Sequence, residues 1–314
     1  VPTDIIEFNN NIYTAFGESN SSTPRQYVYG RGRTWTTAAI SSTTTHQDNH
    51  ARHWVKARNG FGEWALWKAG PSTDQGTERN AVQWATDPTN SGAWSPTTPF
   101  TIGSSSRQIN KLHPMRDTFM VMKSDGVWIW DVVINDFVVL TPEWENQLST
   151  DNGLVGQVWH NDLYFNTALQ GFFRFDGTNF EELSSLLMAP RFPEFGGQIT
   201  AMTASARELI VALDQPVADT TVGKTSRLTR LRLSNRGRWQ LHTSQEPDIA
   251  VIDVLTFHLG SRLWALGRTY DANLEDYVVA ANVWLEPDKV AAPYANVTPY
   301  IESTGTFDTS IWHG

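Results

Sequence analysis

One short hydrophobic strand returns along this chain every fifty residues or so, which limits the fold more than any other feature, because a period of about 40–50 residues is that of four-stranded propeller blades. The segments are NNIYTAFG from Asn10, EWALWKAG from Glu63, DTFMVMKS from Asp117, NDLYFNT from Asn161, RELIVAL from Arg207 and SRLWALG from Ser261. Anchored on Ile12, Trp64, Phe119, Leu163, Leu209 and Leu263, the steps are 52, 55, 44, 46 and 54 residues. A strand precedes each one: TDIIEF, ARHWVKA, INKLHP, LVGQVW, QITAMTA and VIDVLTF. A further strand, a turn and an aromatic follow, ending at Trp35, Trp94, Phe137, Phe180 and Trp239 in the first five units. The sixth, YVVAANVWL at 277–285, fits less well, since Pro287 and Pro293 replace the tight turn.

Four strands repeated six times predict an all-β chain, a β-propeller of six four-stranded blades, with seven as the alternative count. Runs such as WIW, FMVM and LIVAL agree with strands buried on both faces. A sandwich would alternate more cleanly and a parallel β-helix would repeat at a much shorter period. The expected organisation is a propeller over 1–302, with 303–314 as an extension that starts a following domain or a linker. Helical periodicity is nearly absent; EELSSLLMA at 181–189 is the best candidate for a turn or two of helix.

Composition removes several function classes. No cysteine occurs, so disulfide frameworks and thiolate metal sites are excluded. With 24 Lys+Arg against 33 Asp+Glu, the net charge of −9 speaks against nucleic acid as a partner. No run approaches the ~20 apolar residues of a membrane-spanning helix, so no membrane insertion is expected. The start, VPTDIIEF, has neither an initiator Met nor a basic, apolar leader, and reads as a processed or excised piece of something longer. The two N-x-[ST] sites, Asn20 and Asn296, are read as chance matches.

Long polar insertions at 18–25, 70–80 and 214–226 share one position, between second and third strands, and are expected on one face of the disc. A fourth, at 41–50, joins the first two units. There, His46, His50 and His53 form H-x3-H-x2-H with Asp48 between them, a ligand-like set. The strand-like HWVKA that follows favours a polar loop entering a strand. No calcium loop is complete, and GRGR at 30–33 lacks the helix that would make it a phosphate cradle. No metal and no cofactor is therefore expected. The turn GRGRTW at 30–35 keeps the G-x-T-W ending of the sialidase-type repeat without its Asp, a structural remnant that selects no catalytic set.

The 14 tryptophans are the best functional hint. Trp67, Trp94 and Trp144 border polar loops and are the candidates for stacking on sugar rings. Trp94 shares a repeat position with Trp35 and Trp239, which also suits a blade plug; Trp144 lies outside the aligned positions.

The layout resembles the propeller structural proteins of tailed-bacteriophage virions. The stretches that carry the resemblance are RDTFMVMKSDGVWIWD at 116–131, AVQWATDPTNSGAWSP followed by FTIG at 81–103, and NDLYFNTALQGFFRFDG at 161–177. YIESTGTFDTS at 300–310 resembles the place where such proteins leave the propeller. The first and fifth units, with their long loops, depart most. The resemblance implies a non-enzymatic virion protein of a tail, fibre, baseplate or capsid surface, serving assembly or host attachment. Its implied partners are other virion proteins in a homo-oligomeric or symmetric assembly, and a host glycan or receptor. It carries over no catalytic residues. The alternatives are a free-standing lectin-like propeller and a sialidase-like glycoside hydrolase.

Overall fold

A computed structural model of the chain describes residues 4–15, 26–29, 35–37, 51–70, 79–88, 94–141, 152–167, 171–183, 198–206, 208–215, 225–233, 239–245, 251–258, 262–271, 276–285 and 300–302. They form 24 strands in six four-stranded sheets. Sheet one is β1 (Asp4–Phe8), β2 (Asn11–Ala15), β3 (Gln26–Tyr29) and β4 (Trp35–Thr37). Sheet two is β5 (His53–Arg58), β6 (Trp64–Ala69), β7 (Ala81–Ala85) and β8 (Ser95–Thr101). Sheet three is β9 (Ile109–Met115), β10 (Thr118–Lys123), β11 (Gly126–Asp131) and β12 (Asp136–Val139). Sheet four is β13 (Gly156–Trp159), β14 (Asp162–Thr167), β15 (Gly171–Phe175) and β16 (Phe180–Glu182). Sheet five is β17 (Gln198–Ala204), β18 (Leu209–Gln215), β19 (Thr225–Leu233) and β20 (Trp239–Gln245). Sheet six is β21 (Val251–His258), β22 (Arg262–Asp271), β23 (Asp276–Leu285) and β24 (Tyr300–Glu302).

Every sheet is an antiparallel meander in chain order, and the six sequence anchors all fall on second strands. The tight turns follow from residue type. Asn9-Asn10 and His160-Asn161 both take positive φ at two successive positions, the conformation a two-residue hairpin needs and Asn tolerates. The expected helix at 181–189 is corrected at its start: Glu181 and Glu182 lie on β16, where they close the sheet's last ladder. Leu183 follows with its N donating to Phe172 O (2.7 Å), and 184–189 lie outside the described residues.

Two compact units divide the chain, Val1–Leu154 with sheets one to three and Val155–Gly314 with sheets four to six. Within each unit, the first strands of consecutive sheets lie beside one another, so the sheets converge at that edge and stack face to face. In the first unit, Phe8 and Tyr13 of sheet one pack with Trp54, Leu66 and Trp94 from sheet two and its approach. Sheets two and three share Val55, Trp67, Trp84, Leu112, Phe119, Val121 and Trp130. In the second, Tyr164 and Phe172 of sheet four meet Leu209 and Val211 of sheet five. Ile210 and Ala212 of sheet five meet Leu255 and Leu263 of sheet six. Because both faces of an inner sheet are covered, strands such as AVQWA in β7 are buried along their whole length.

Polar ties lock the stacked sheets in register. Trp130 Nε1 donates to Arg58 O (3.0 Å), joining sheets three and two, and Trp159 Nε1 donates to Ser205 O (2.7 Å), joining sheets four and five. A bulge between Met122 and Lys123 marks the end of β10. There the buried Lys123 Nζ donates to Ile102 O (2.6 Å) and Ser104 O (2.9 Å), and lies 3.4 Å from Asp125 Oδ1. These bonds compensate the desolvation of the ammonium.

The recurring aromatic is less uniform than a single plug. Trp94 is buried, whereas Phe137 and Phe180 are half-buried. Phe180 instead stacks on Phe175 across β15 and β16, with ring centroids 4.6 Å apart. The side chains of Trp35 and Trp239 lie outside what is described.

Candidate functional site

Two of the three tryptophans proposed as sugar platforms, Trp67 and Trp94, lie in the core. Trp67 is fully buried on β6, with its ring centroid 4.6 Å from that of Trp130 and 4.9 Å from that of Phe119. Trp94 is buried beside Trp54, and the Lys68 ammonium sits 4.4 Å from its ring centroid. Stacking needs an open ring face, so the expectation for both is corrected: they fill the gaps between sheets. The polar loops that drew notice to them flank their strands without exposing their rings. Trp144 lies outside the described residues.

Polar chemistry gathers instead on the converging first strands of the first unit. Asp4 on β1 accepts a hydrogen bond from the Trp54 backbone N–H through Oδ2 (3.0 Å). The same oxygen lies 3.1 Å from Lys111 Nζ of β9 and 3.7 Å from His53 Nδ1 of β5. One carboxylate thus ties three sheets. Burial pushes its pKa up, but His53, Lys111 and the Trp54 N–H outweigh burial and hold it below the usual carboxylate value. His53 is almost wholly enclosed; burial, opposed only partly by Asp4, pushes its pKa down to about 4. It is therefore neutral near pH 7, and the cation facing Asp4 is Lys111. His113 on β9 is likewise driven down to about 4 by burial, against the opposing effect of the Gly153 carbonyl, which lies 2.6 Å from Nε2. Arg52 Nη1 donates to Gln108 Oε1 (2.6 Å).

This cluster works as a clamp. Its carboxylate, ammonium and guanidinium already hold one another or nearby amides. Of the H-x3-H-x2-H set, His53 enters β5 and turns inward, while His46 and His50 lie outside the described residues. Among the described residues no group of three or more His, Asp or Glu is placed to hold a metal ion, and no helix is long and apolar enough to cross a membrane.

The exposed surface carries a feature that strand periodicity could not reveal. Phe61, between β5 and β6, is 80% exposed; Val133 and Ile134, between β11 and β12, are 93% and 57% exposed. Both turns are tightly built. Asn59 Oδ1 accepts from Phe61 N (2.9 Å) and Glu63 N (3.0 Å). Asp131 Oδ1 accepts from Val133 N (2.8 Å) and Ile134 N (3.2 Å). The turns also touch, since a Cβ on Gly60 would collide with the Asn135 side chain. Trp64, partly exposed at the start of β6, has Lys56 Nζ and the Arg58 guanidinium within 5.4 and 5.1 Å of its ring centroid. The signals present in sequence were NGFG and DVVIND, each an apolar residue inside a turn-forming frame.

No protein-family model and no curated protein matches the sequence. Solved structures do. BBS1N in complex with ARL6DN matches with a TM-score of 0.52 at 12% identity, covering 91% of this chain and 78% of that one. A chain of the mitotic checkpoint complex matches at 0.51 and 12%, covering 86% and 70%. YCF48 bound to a D1 peptide matches at 0.50 and 12%, covering 85% and 75%. At these identities the likeness shows the fold alone, an all-β chain of the propeller kind. The expectation of a protein without enzymatic activity is corrected by the same comparison. Similar structures also include a GH43 β-1,3-galactosidase and an exo-1,5-α-L-arabinanase, at 9% and 8% identity and TM-scores of 0.40 and 0.36. Such weak likeness transfers no activity, and the propeller class is no ground for excluding one. This chain is, by its fold, an all-β protein of the propeller kind.

Proposed function

We propose that the chain is a structural propeller of a tailed-phage virion that makes protein contacts in assembly or host attachment. The observation that carries this reading is the apolar pair of turns, Phe61 with Val133 and Ile134, held out on side-chain-capped backbone. Contiguous exposed apolar surface marks protein-interaction sites, and the two turns touch through Gly60 and Asn135. The resemblance at 81–103, 116–131 and 161–177 supplies the virion context. Three similar structures, BBS1N in complex with ARL6DN, YCF48 bound to a D1 peptide and a chain of the mitotic checkpoint complex, support protein interaction in general terms. The burial of Trp67 and Trp94 weighs against glycan stacking as the means of attachment.

Peptide mass spectrometry of gradient-purified phage particles tests the reading, with antibody labelling to place the chain on them. The chain is expected in fixed stoichiometry with the major structural proteins. Its absence from particles, or copy numbers that vary between preparations, would overturn the reading.

A further inference from the structure

Building on the assembly reading above, we propose that the outer edge of sheet three, with the turns beside it, docks an extended, uncharged, apolar segment of another protein by strand addition. β12 is the terminal strand of its sheet and, among the described residues, pairs with β11 alone. Leu140 N donates inward to Val127 O (2.8 Å), so the alternating antiparallel pattern turns the backbone N–H and C=O of Val139 outward. Val138 and Val139 are both exposed, on opposite faces of the strand. An edge that is apolar on both faces and carries no charged side chain beyond Asp136 is a template for another strand.

The matching edge of sheet four shows that this is not a requirement of the fold. There β16 reads FEE, and both glutamates are exposed. The turn leading into it is capped like that of sheet three: Asp176 Oδ1 accepts from Thr178 N and Asn179 N, both at 2.8 Å. Its exposed residues are Gly177, Thr178 and Asn179. The same capping geometry thus forms with polar residues, and Val133 and Ile134 are not needed to make the turn.

Charge selects the chemistry of the occupant. The charged groups around the patch are held by the chain itself. Arg58 Nε pairs with Asp117 Oδ2 (3.2 Å), Glu63 Oε2 accepts from Asn59 Nδ2 (3.1 Å), and Asp131 and Asp136 accept backbone N–H groups of their own turn. The uncharged surface that these groups frame is Phe61, Val133, Ile134, Val138 and Val139 with the outward backbone of Val139. An uncharged β-forming segment complements that; a nucleic acid or an acidic sugar does not.

A random dodecapeptide library panned against the full chain tests the proposal, with the enriched peptides synthesised as probes. They should be uncharged, with alternating β-branched or aromatic residues. Their affinity should fall at least tenfold on Val133→Asp and on Phe61→Asp and stay unchanged on Thr178→Asp. The Val139 amide should gain protection from hydrogen exchange when peptide is bound. No enrichment, charged peptides, or equal binding to the three variants would overturn the proposal. So would self-association of the wild-type chain in sedimentation that Val133→Asp abolishes, because the occupant would then be a second copy. Val133→Asp decides alone if Phe61→Asp does not fold. A chain missing from particles overturns the virion reading and leaves the peptide result standing; a chain present in particles but blind to the peptides overturns the docking edge alone.

Discussion

Two turns built on one plan display opposite surfaces. The turn after Asp131 and the turn after Asp176 each have an aspartate that accepts the N–H groups two and three residues ahead. One then presents valine and isoleucine to water, the other glycine, threonine and asparagine. The capping aspartate accounts for the shape of both. The apolar residues of the first add nothing to that shape, so their exposure calls for a cause outside the turn. The contrast sharpens beside Trp67, which is larger and more hydrophobic than either and fully buried. Trp67 and Trp94 serve the core, and Val133 and Ile134 on their capped turn stand in water.

The largest effect that can test this division is in the core. Trp67→Ala should cost about 3–5 kcal/mol, as for other buried large aromatics, and show as a lowered denaturation midpoint. A cost near zero would return Trp67 to the surface side of the comparison.

Acid comes next. His53 and His113 have folded pKa values near 4, below the ordinary 6.5. The unfolded chain therefore binds protons first as pH falls from about 6.5, and their stability contribution, constant above that value, is lost progressively toward pH 4. Asp4, held low, adds a loss in the same direction as pH falls through its own folded value. Melting temperature should drop by several degrees between pH 7 and pH 4.5, with a shallower slope in His113→Gln. An unchanged slope in that variant would contradict the burial ascribed to His113.

Smaller again are the caps. Asp131→Ala and Asp176→Ala should each lower the melting temperature modestly, because each leaves two turn N–H groups without their carboxylate acceptor. Similar losses would confirm one plan for both turns; a loss at only one would break the comparison. Smallest of all, Val133→Thr should change stability by less than about 0.5 kcal/mol, because the side chain touches little but water.

The fold was more legible than the site, for a physical reason. A blade is specified by short-range signals: strand, turn residue, strand. Asn9-Asn10, His160-Asn161 and the six anchors carry those signals one blade at a time. The clamp on Asp4 could not be read this way, since it joins residues 4, 53 and 111, brought together only when first strands converge. The expectation for Trp67 and Trp94 failed because proximity to a polar loop says where a strand ends and nothing about which way a ring points. Phe61, Val133 and Ile134 were visible only as apolar residues in turn frames, and their exposure depends on how two sheets bring their turns together. The aromatic that ends each of the first five units occupies one place in the repeat, yet Trp94 is buried between sheets while Phe180 stacks on Phe175 of its own sheet and stays half-buried.

Amide hydrogen exchange of the chain, free and in purified particles, decides whether a partner covers the apolar turn. Protection is expected to rise over 59–63 and 132–139 on assembly and to stay unchanged over 176–179. Equal change in the two capped turns, or none at 132–139, would contradict the assignment of the apolar turn to a partner.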